Sequence, residues 1–232
     1  MENHPIQSTE NKVANIFKSK EFLLDEEELI KKYPNEINKL INLKKIEKEI
    51  LLNQFMISRN TLDFRGNNYE GGWSTGEKRG GEKYIPPIGW IGYGLKVFDK
   101  YDNNTWIGND NSKGEWCVAY HTIFGDMKRN KQIIRFIIYS GFRMGPNQAS
   151  EHEKDLRHLG NECGKGICCC SDAEYAEKYA SKMEINGEYY KFLLMLRVKP
   201  EKIRQPESMP QIYILNPTSD EIRPYRILVK KC

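Results

Sequence analysis

The stretch GKGICCCSDAEYAEKYASKMEINGEYYKFLLMLRV, residues 164–198, contains the pattern that decides the fold class. The short apolar segment 166–170 predicts a strand, because a brief apolar run bounded by turn residues suits a buried strand. A helix is predicted for 173–183, where small and apolar residues recur on one side with a helical period. A strand and a helix are therefore expected in close succession.

The second half of this stretch predicts a β-hairpin. Asn186-Gly187 is a preferred pair for a two-residue type I′ turn, because both residues tolerate a positive φ. The apolar run 189–198 that follows predicts a long hydrophobic strand. This hairpin is expected to place one strand deep in a sheet.

Further elements are predicted on both sides of this stretch. Strands are expected at 117–120, 211–215 and 222–229, where apolar runs are bounded by turn residues. A helix is expected at 130–139, ended by Gly141 at the C′ position. Strands and helices in this order predict an α+β fold, a mixed domain built on split sheets.

By composition, the 232 residues divide into an N-terminal arm, 1–60, and a larger domain, 61–232. The acidic run 25–28 and a 3.6-residue apolar period after it predict amphipathic helices in the arm. That arm either packs on the protein's own core or binds a partner. In the domain, the Gly- and Trp-rich segment 61–116 predicts loops and short strands that cover a ligand site or simply pack, and 117–232 is the core.

Composition and charge exclude several classes of protein. No apolar run is long enough to span a membrane, and no secretory signal is recognised, so a cytoplasmic protein with reduced thiols is expected. Lys and Arg total 36 against 32 Asp and Glu, a mildly basic balance that suits an anionic ligand. A nucleic-acid partner is not expected, because the single Arg79-Gly80-Gly81 triplet is far from a basic stripe.

Four short motifs follow one another along the core. Their order and spacing resemble the catalytic domain of the poly(ADP-ribose) polymerase branch of the ADP-ribosyltransferases, over roughly residues 116–229. The motifs are Ala119-Tyr120-His121-Thr122, Ser140-Gly141-Phe142-Arg143, Gly164-Lys165-Gly166-Ile167-Cys168 with Tyr179 eleven residues beyond Cys168, and Asp220-Glu221-Ile222-Arg223-Pro224-Tyr225.

This resemblance implies a fold, a reaction and two catalytic residues. The fold would be an ADP-ribosyltransferase-like split mixed β-sheet with flanking helices. The reaction would break the nicotinamide–ribose bond of NAD, used as substrate, and transfer a single ADP-ribose to a macromolecular acceptor. Glu221 would stabilise the oxocarbenium-like charge and orient the nucleophile, and His121 would hydrogen-bond a ribose hydroxyl.

The resemblance also implies a set of NAD-binding residues. Tyr179 would stack on the nicotinamide ring, and Arg143 would contact the adenosine side of NAD. Gly141 and Thr122 would lie beside them at the family's NAD-contacting turns. His121 and Cys168 occupy further family positions at this site.

Three residues depart from the family pattern. Cys168 stands where the family has a tyrosine, so one face of the nicotinamide would lack a ring. Thr122 replaces a glycine that lets the backbone approach the nicotinamide amide. Ala176 replaces a serine that contacts the carboxamide. Tyr175 is not expected to supply the missing ring, because it is predicted to point away from Tyr179.

These departures leave a second hypothesis open. The chain would then be a catalytically inactive protein of the same fold, acting as a structural or protein-binding module in a larger assembly. Its partner would dock on the arm, 1–60. Under the first hypothesis the partner is instead a protein acceptor.

A metal site is the remaining alternative. His152, His158, Cys163 and Cys168–Cys170 lie close together in the sequence. No C-x-x-C pair is present, and consecutive cysteines in a strand alternate between faces, so they cannot all bind one ion. No metal is expected, and the cysteines are interpreted as small buried hydrophobes, with a reactive thiol at Cys168 as the alternative.

Overall fold

The computed structural model describes part of the chain. The described residues are 53, 55–68, 77–123, 127–143 and 164–232. Phe55–Cys232 forms one compact unit. The predicted arm, 1–60, lies almost wholly outside the described residues, as do His152, His158 and Cys163.

The described residues contain ten strands and two α-helices. The strands are β1 Leu62–Asn68, β2 Lys78–Arg79, β3 Glu82–Lys83, β4 Ile91–Leu95, β5 Cys117–Thr122, β6 Ile167–Cys170, β7 Met183–Ile185, β8 Glu188–Val198, β9 Ile212–Leu215 and β10 Ile222–Lys231. The helices are α1 Met127–Ser140 and α2 Ala173–Glu177. Short 3₁₀ turns occupy Thr105–Ile107 and Pro200–Lys202.

One large sheet carries most of these strands. Their order is β1-β4-β10-β8-β5-β6-β9, with β7 paired to β8 beside this path and β2–β3 as a separate ribbon. Within the described ranges, each pairing between named strands is antiparallel. The α+β class is confirmed, and the sheet dominates it. Among the strands that the structure describes, the expected mixture of parallel and antiparallel pairings is not observed.

Strand β8 is the centre of the sheet. Leu194 pairs with Ile227 of β10 on one side and with His121 of β5 on the other. Residues 192–198 are buried without interruption. A strand covered on both faces needs a continuous apolar run rather than alternation, which explains the sequence of this segment.

Helix α1 packs an apolar stripe on the core and ends at a glycine. Ile134, Ile137 and Ile138 are buried. Gly141 has a φ of 79°, and its N–H donates to the carbonyl of Ile137 at 2.9 Å. A residue with a Cβ is strained in this conformation, so glycine closes the helix. The helix predicted for 130–139 and its glycine end are confirmed.

Helix α2 is shorter than the sequence predicts. Asp172 caps it by accepting a hydrogen bond from the Tyr175 N–H at 2.7 Å. After Glu177 the chain leaves the helix, and Met183 enters β7, where it pairs with Tyr190. The prediction of a helix over 173–183 is therefore wrong at its end, because the hairpin draws the apolar residues at 183–185 into the sheet.

The predicted hairpin is confirmed. Asn186 and Gly187 have φ values of 55° and 79° between the paired residues Ile185 and Glu188. Two positive φ values in a two-residue loop are the condition for a type I′ turn. This turn fixes the register of β7 on β8.

Tryptophans in the described part of 61–116 pack inside the fold. Trp90, Trp106 and Trp116 are buried. The guanidinium of Arg223 lies 4.3 Å from the ring centroid of Trp116 and 5.1 Å from that of Trp106. This contact joins the 61–116 segment to β10, which supports the packing role for this part of it.

Candidate functional site

His121 lies near the end of β5 and is almost fully enclosed. It is 3% exposed, and its ring meets the ring of Phe142 edge-on at 5.2 Å between centroids. Nδ1 is 2.9 Å from the Cys168 carbonyl oxygen. A carbonyl only accepts, so Nδ1 carries the proton and Nε2 is the acceptor. Burial lowers the pKa of His121 to about 4, against a smaller raising effect of the Cys168 hydrogen bond.

Thr122 faces the opposite side of β5 from His121, since neighbouring residues of a strand alternate. Its Oγ1 donates to the Ala176 carbonyl at 3.0 Å, and this bond is buried. The hydroxyl therefore ties β5 to α2.

The cysteines of β6 form part of the core. Cys169 and Cys170 are buried, and Cys168 is partly exposed. Burial raises the pKa of Cys170 to about 12 and that of Cys169 in the same direction. These two thiols are therefore protonated at neutral pH. Among the residues described, no group of three or more His, Cys, Asp or Glu is arranged to hold a metal ion.

Tyr179 and Tyr175 form a pair at the end of α2. Their hydroxyls are 3.2 Å apart, and their ring centroids are 5.6 Å apart. Burial, together with the hydrogen bond to Tyr179, raises the pKa of Tyr175 to about 12. The expectation that Tyr175 points away from Tyr179 is wrong. Residues four apart share a face of a helical turn, and that spacing would have identified the pair.

Glu221 lies immediately before β10 and is 8% exposed. Its Oε2 accepts from the Asn216 backbone N–H at 2.8 Å, and its Oε1 accepts from Asn216 Nδ2 at 2.9 Å. Its own carbonyl accepts from the Lys199 N–H at 2.9 Å. The carboxylate is therefore held in one orientation by a single asparagine.

Arg204 connects Glu221 to the glycine-rich turn before β6. Its Nη2 donates to Asn216 Oδ1 at 3.2 Å and to the Lys165 carbonyl at 3.1 Å. Gly166 lies in this turn, where a Cβ would come within 2.6 Å of the Leu215 carbonyl. Arg204 and Asn216 were not among the site residues predicted from the sequence. The dipeptide Asn216-Pro217 ahead of Glu221 was the available signal for an asparagine-based turn.

Arg143 lies apart from these contacts. Its guanidinium stacks over the ring of Phe136 on α1 at 4.9 Å, and the residue is exposed. Gly141 ends α1, where its N–H donates to the Ile137 carbonyl. The segment 144–163 that follows is outside the described residues.

The structure brings most of the predicted residues to β6 and its flanking turns. His121 bonds to the Cys168 carbonyl within β6, and Thr122 bonds to α2 directly after it. Glu221 reaches the turn before β6 through Asn216 and Arg204. Three separate segments of the chain thus contact β6 or the turn and helix beside it, with His121 and Thr122 on opposite faces of β5.

Two comparisons with known proteins found no match for this chain. None of the models of known protein families matches the chain, and no curated protein matches it either. The chemistry proposed for the site therefore depends on its own residues.

In the ranges that the structure describes, no helix is long and apolar enough to cross a membrane.

Proposed function

We propose that the chain is an ADP-ribosyltransferase-like protein that binds NAD around β6 and transfers a single ADP-ribose to a macromolecular acceptor. The supporting observation is that the motif segments meet there, with His121 bonded to Cys168, Thr122 bonded to Ala176, and Glu221 linked to the turn before β6. NAD supplies an activated glycosidic bond with nicotinamide as the leaving group.

His121 would position the substrate. With its proton held at Nδ1 by the Cys168 carbonyl, the imidazole has Nε2 as an acceptor for a ribose hydroxyl. Its lowered pKa keeps the ring neutral at physiological pH, so it adds no positive charge beside a cationic transition state. A neutral acceptor suits this role better than an imidazolium would.

Glu221 would stabilise the charge that develops on the ribose. Each carboxylate oxygen accepts one hydrogen bond from Asn216, and a carboxylate oxygen can accept two. A fixed anion stabilises an oxocarbenium-like centre without reorganising during the reaction. Asn216 would act as a positioning residue by holding that anion in place.

The remaining binding residues fit the substrate less completely. Tyr179 and Tyr175 offer an aromatic pair for the nicotinamide ring, whereas Cys168 offers no ring on the other face. Arg143 is exposed just after the end of α1, where its guanidinium would contact the adenosine side of NAD. Slow turnover is therefore expected.

Release of nicotinamide from NAD tests this proposal directly. We expect measurable release by the full chain, reduced at least about a hundredfold by Glu221→Gln and strongly by His121→Ala. Glu207→Gln, at an exposed glutamate elsewhere in the chain, should leave the rate unchanged. Cys168→Tyr should increase the rate by restoring the missing ring.

The second candidate function is that of an inactive binding module. It is favoured by Cys168 at the family's tyrosine position and by the enclosure of His121, which is only 3% exposed. Thermal stabilisation by NAD without nicotinamide release, unchanged by Cys168→Tyr, would support this candidate. No stabilisation by NAD at all would contradict the transferase function and leave the inactive structural or protein-binding module.

A further inference from the structure

A large cavity lies away from the residues around β6. It has a volume of about 910 Å³ and is bordered by residues of β1, β4, β5, β8 and β10. None of the residues that line it belongs to the site proposed for NAD. Small-molecule sites commonly occupy roughly 300–1,000 Å³, so the volume is sufficient for a nucleotide-sized ligand.

Cations dominate the wall of this cavity. Four lining residues are basic, namely Arg79, Lys96, Arg197 and Arg226, and Asp63 is the acidic residue among the lining residues. Glu77 and Glu115 lie beside Arg79, at 2.8 and 3.6 Å. With Glu77 and Glu115 included, the cavity region has four positive charges and three negative ones. A concave site with this balance attracts anions.

Arg197 is the deepest of these cations, at 4% exposed. Its Nη1 donates to Glu115 Oε1 at 2.9 Å and to the Trp116 carbonyl at 2.7 Å, and its Nη2 donates to the Gly108 carbonyl at 2.5 Å. Its Nε is buried and has no hydrogen-bond partner within the described residues. An unsatisfied buried donor is costly, and the three other hydrogen bonds of this guanidinium hold it in place in the cavity wall.

Aromatic rings hold the guanidinium groups and extend to the cavity mouth. Arg79 lies 5.0 Å from the ring centroid of Tyr84, and Arg197 lies 5.2 Å from that of Tyr225. Such stacking fixes planar cations before a ligand arrives. Phe98 also lines the cavity and is 67% exposed, so its ring is open to a flat partner.

We propose that this cavity binds a nucleotide, with its phosphates against the basic wall and its base on the ring of Phe98. Guanidinium and ammonium groups are the preferred protein partners of phosphate, and aromatic faces are the preferred partners of bases. The proposal is independent of the transferase function, because the two sites share no residue.

Calorimetry on the full chain tests the proposal, with ADP as the probe and adenosine as its uncharged counterpart. We expect ADP to bind with a Kd below about 1 mM and adenosine to bind at least tenfold more weakly. Lys96→Glu should weaken ADP binding roughly tenfold, because it reverses a charge at the wall. Lys182→Glu makes the same charge change at an exposed lysine outside the cavity and should have no effect.

Two further variants locate the bound ADP. Phe98→Ser should weaken ADP binding about tenfold, consistent with the loss of one stacked base. Arg143→Ala, in the site proposed for NAD, should leave unchanged the part of ADP binding that Lys96→Glu weakens. Three results would each overturn the proposal. They are equal binding of ADP and adenosine, equal effects of Lys96→Glu and Lys182→Glu on ADP binding, and loss of ADP binding in Arg143→Ala but in no other variant.

Discussion

The protonation state of His121 is set by its surroundings in the fold. The sequence identified it as a candidate, and the fold encloses it and binds its Nδ1 to a backbone carbonyl. Burial without a nearby anion disfavours the imidazolium, so the pKa of His121 falls from 6.5 to about 4. The residue is therefore neutral across the physiological range.

This shift predicts a pH dependence of folding stability. Above pH 6.5 the imidazole is neutral in both states. As the pH falls from 6.5 towards 4, the unfolded chain takes up a proton that the folded chain does not, so the free energy of unfolding should fall by about 1.4 kcal/mol per pH unit. The total loss is about 3 kcal/mol. Urea unfolding between pH 4 and 7.5 measures it.

The control for this prediction is His121→Gln, which cannot titrate in this range. The difference in free energy of unfolding between His121→Gln and the wild-type chain at the same pH should shift steadily in favour of the variant as the pH falls below 6.5. Parallel pH profiles for the two proteins would contradict the enclosure of His121.

At the scale of elements, α2 is a short helix whose position depends on its cap and on β5. Asp172 satisfies the Tyr175 N–H at the start of the helix, and Thr122 holds the Ala176 carbonyl. A helix of five residues gains little from its own backbone hydrogen bonds. These two side-chain contacts therefore hold the segment that carries Tyr175 and Tyr179.

Asp172→Ala is expected to lower the free energy of unfolding by about 1 kcal/mol, because the N-cap hydrogen bond is lost. Asp172→Ser should retain most of the stability, since serine caps helices comparably well. Chemical denaturation of the three proteins makes the comparison. If alanine and serine gave the same stability, the cap would have no energetic role.

At the scale of the whole molecule, the antiparallel sheet depends on β8. This strand contacts β10, β5 and β7 through backbone pairing, and its residues 192–198 are buried. The candidate sites also depend on it, because His121 lies on β5 beside it and Arg197 lies within it. A change at the centre of β8 should therefore affect the molecule as a whole.

Leu194→Ala should destabilise the protein by roughly 2–5 kcal/mol, because it opens a cavity at a fully buried position. Tyr189→Ala, in the same strand but at a half-exposed residue, should cost much less. Thermal and urea unfolding measure both. A loss below about 1 kcal/mol at Leu194 would contradict the central place of β8 in the core.

Local patterns were enough to predict most of the elements. The hairpin at Asn186-Gly187, the strand after it and the end of α1 at Gly141 follow from turn chemistry, apolar runs and the conformational freedom of glycine, which act over a few residues. The class, α+β, follows from the order of these elements. The end of α2 was not predictable in this way, because hairpin pairing overrode the helical period there.

The sequence by itself determined which side chains are chemically notable, including His121, Tyr179 and Glu221. Only the tertiary structure decided the contacts that join distant segments. The bond from His121 to the Cys168 carbonyl, the link from Arg204 to Asn216 and the basic cavity around Arg197 are of this kind. Such contacts depend on strand register and burial across the whole sheet, and no local pattern of residues encodes them.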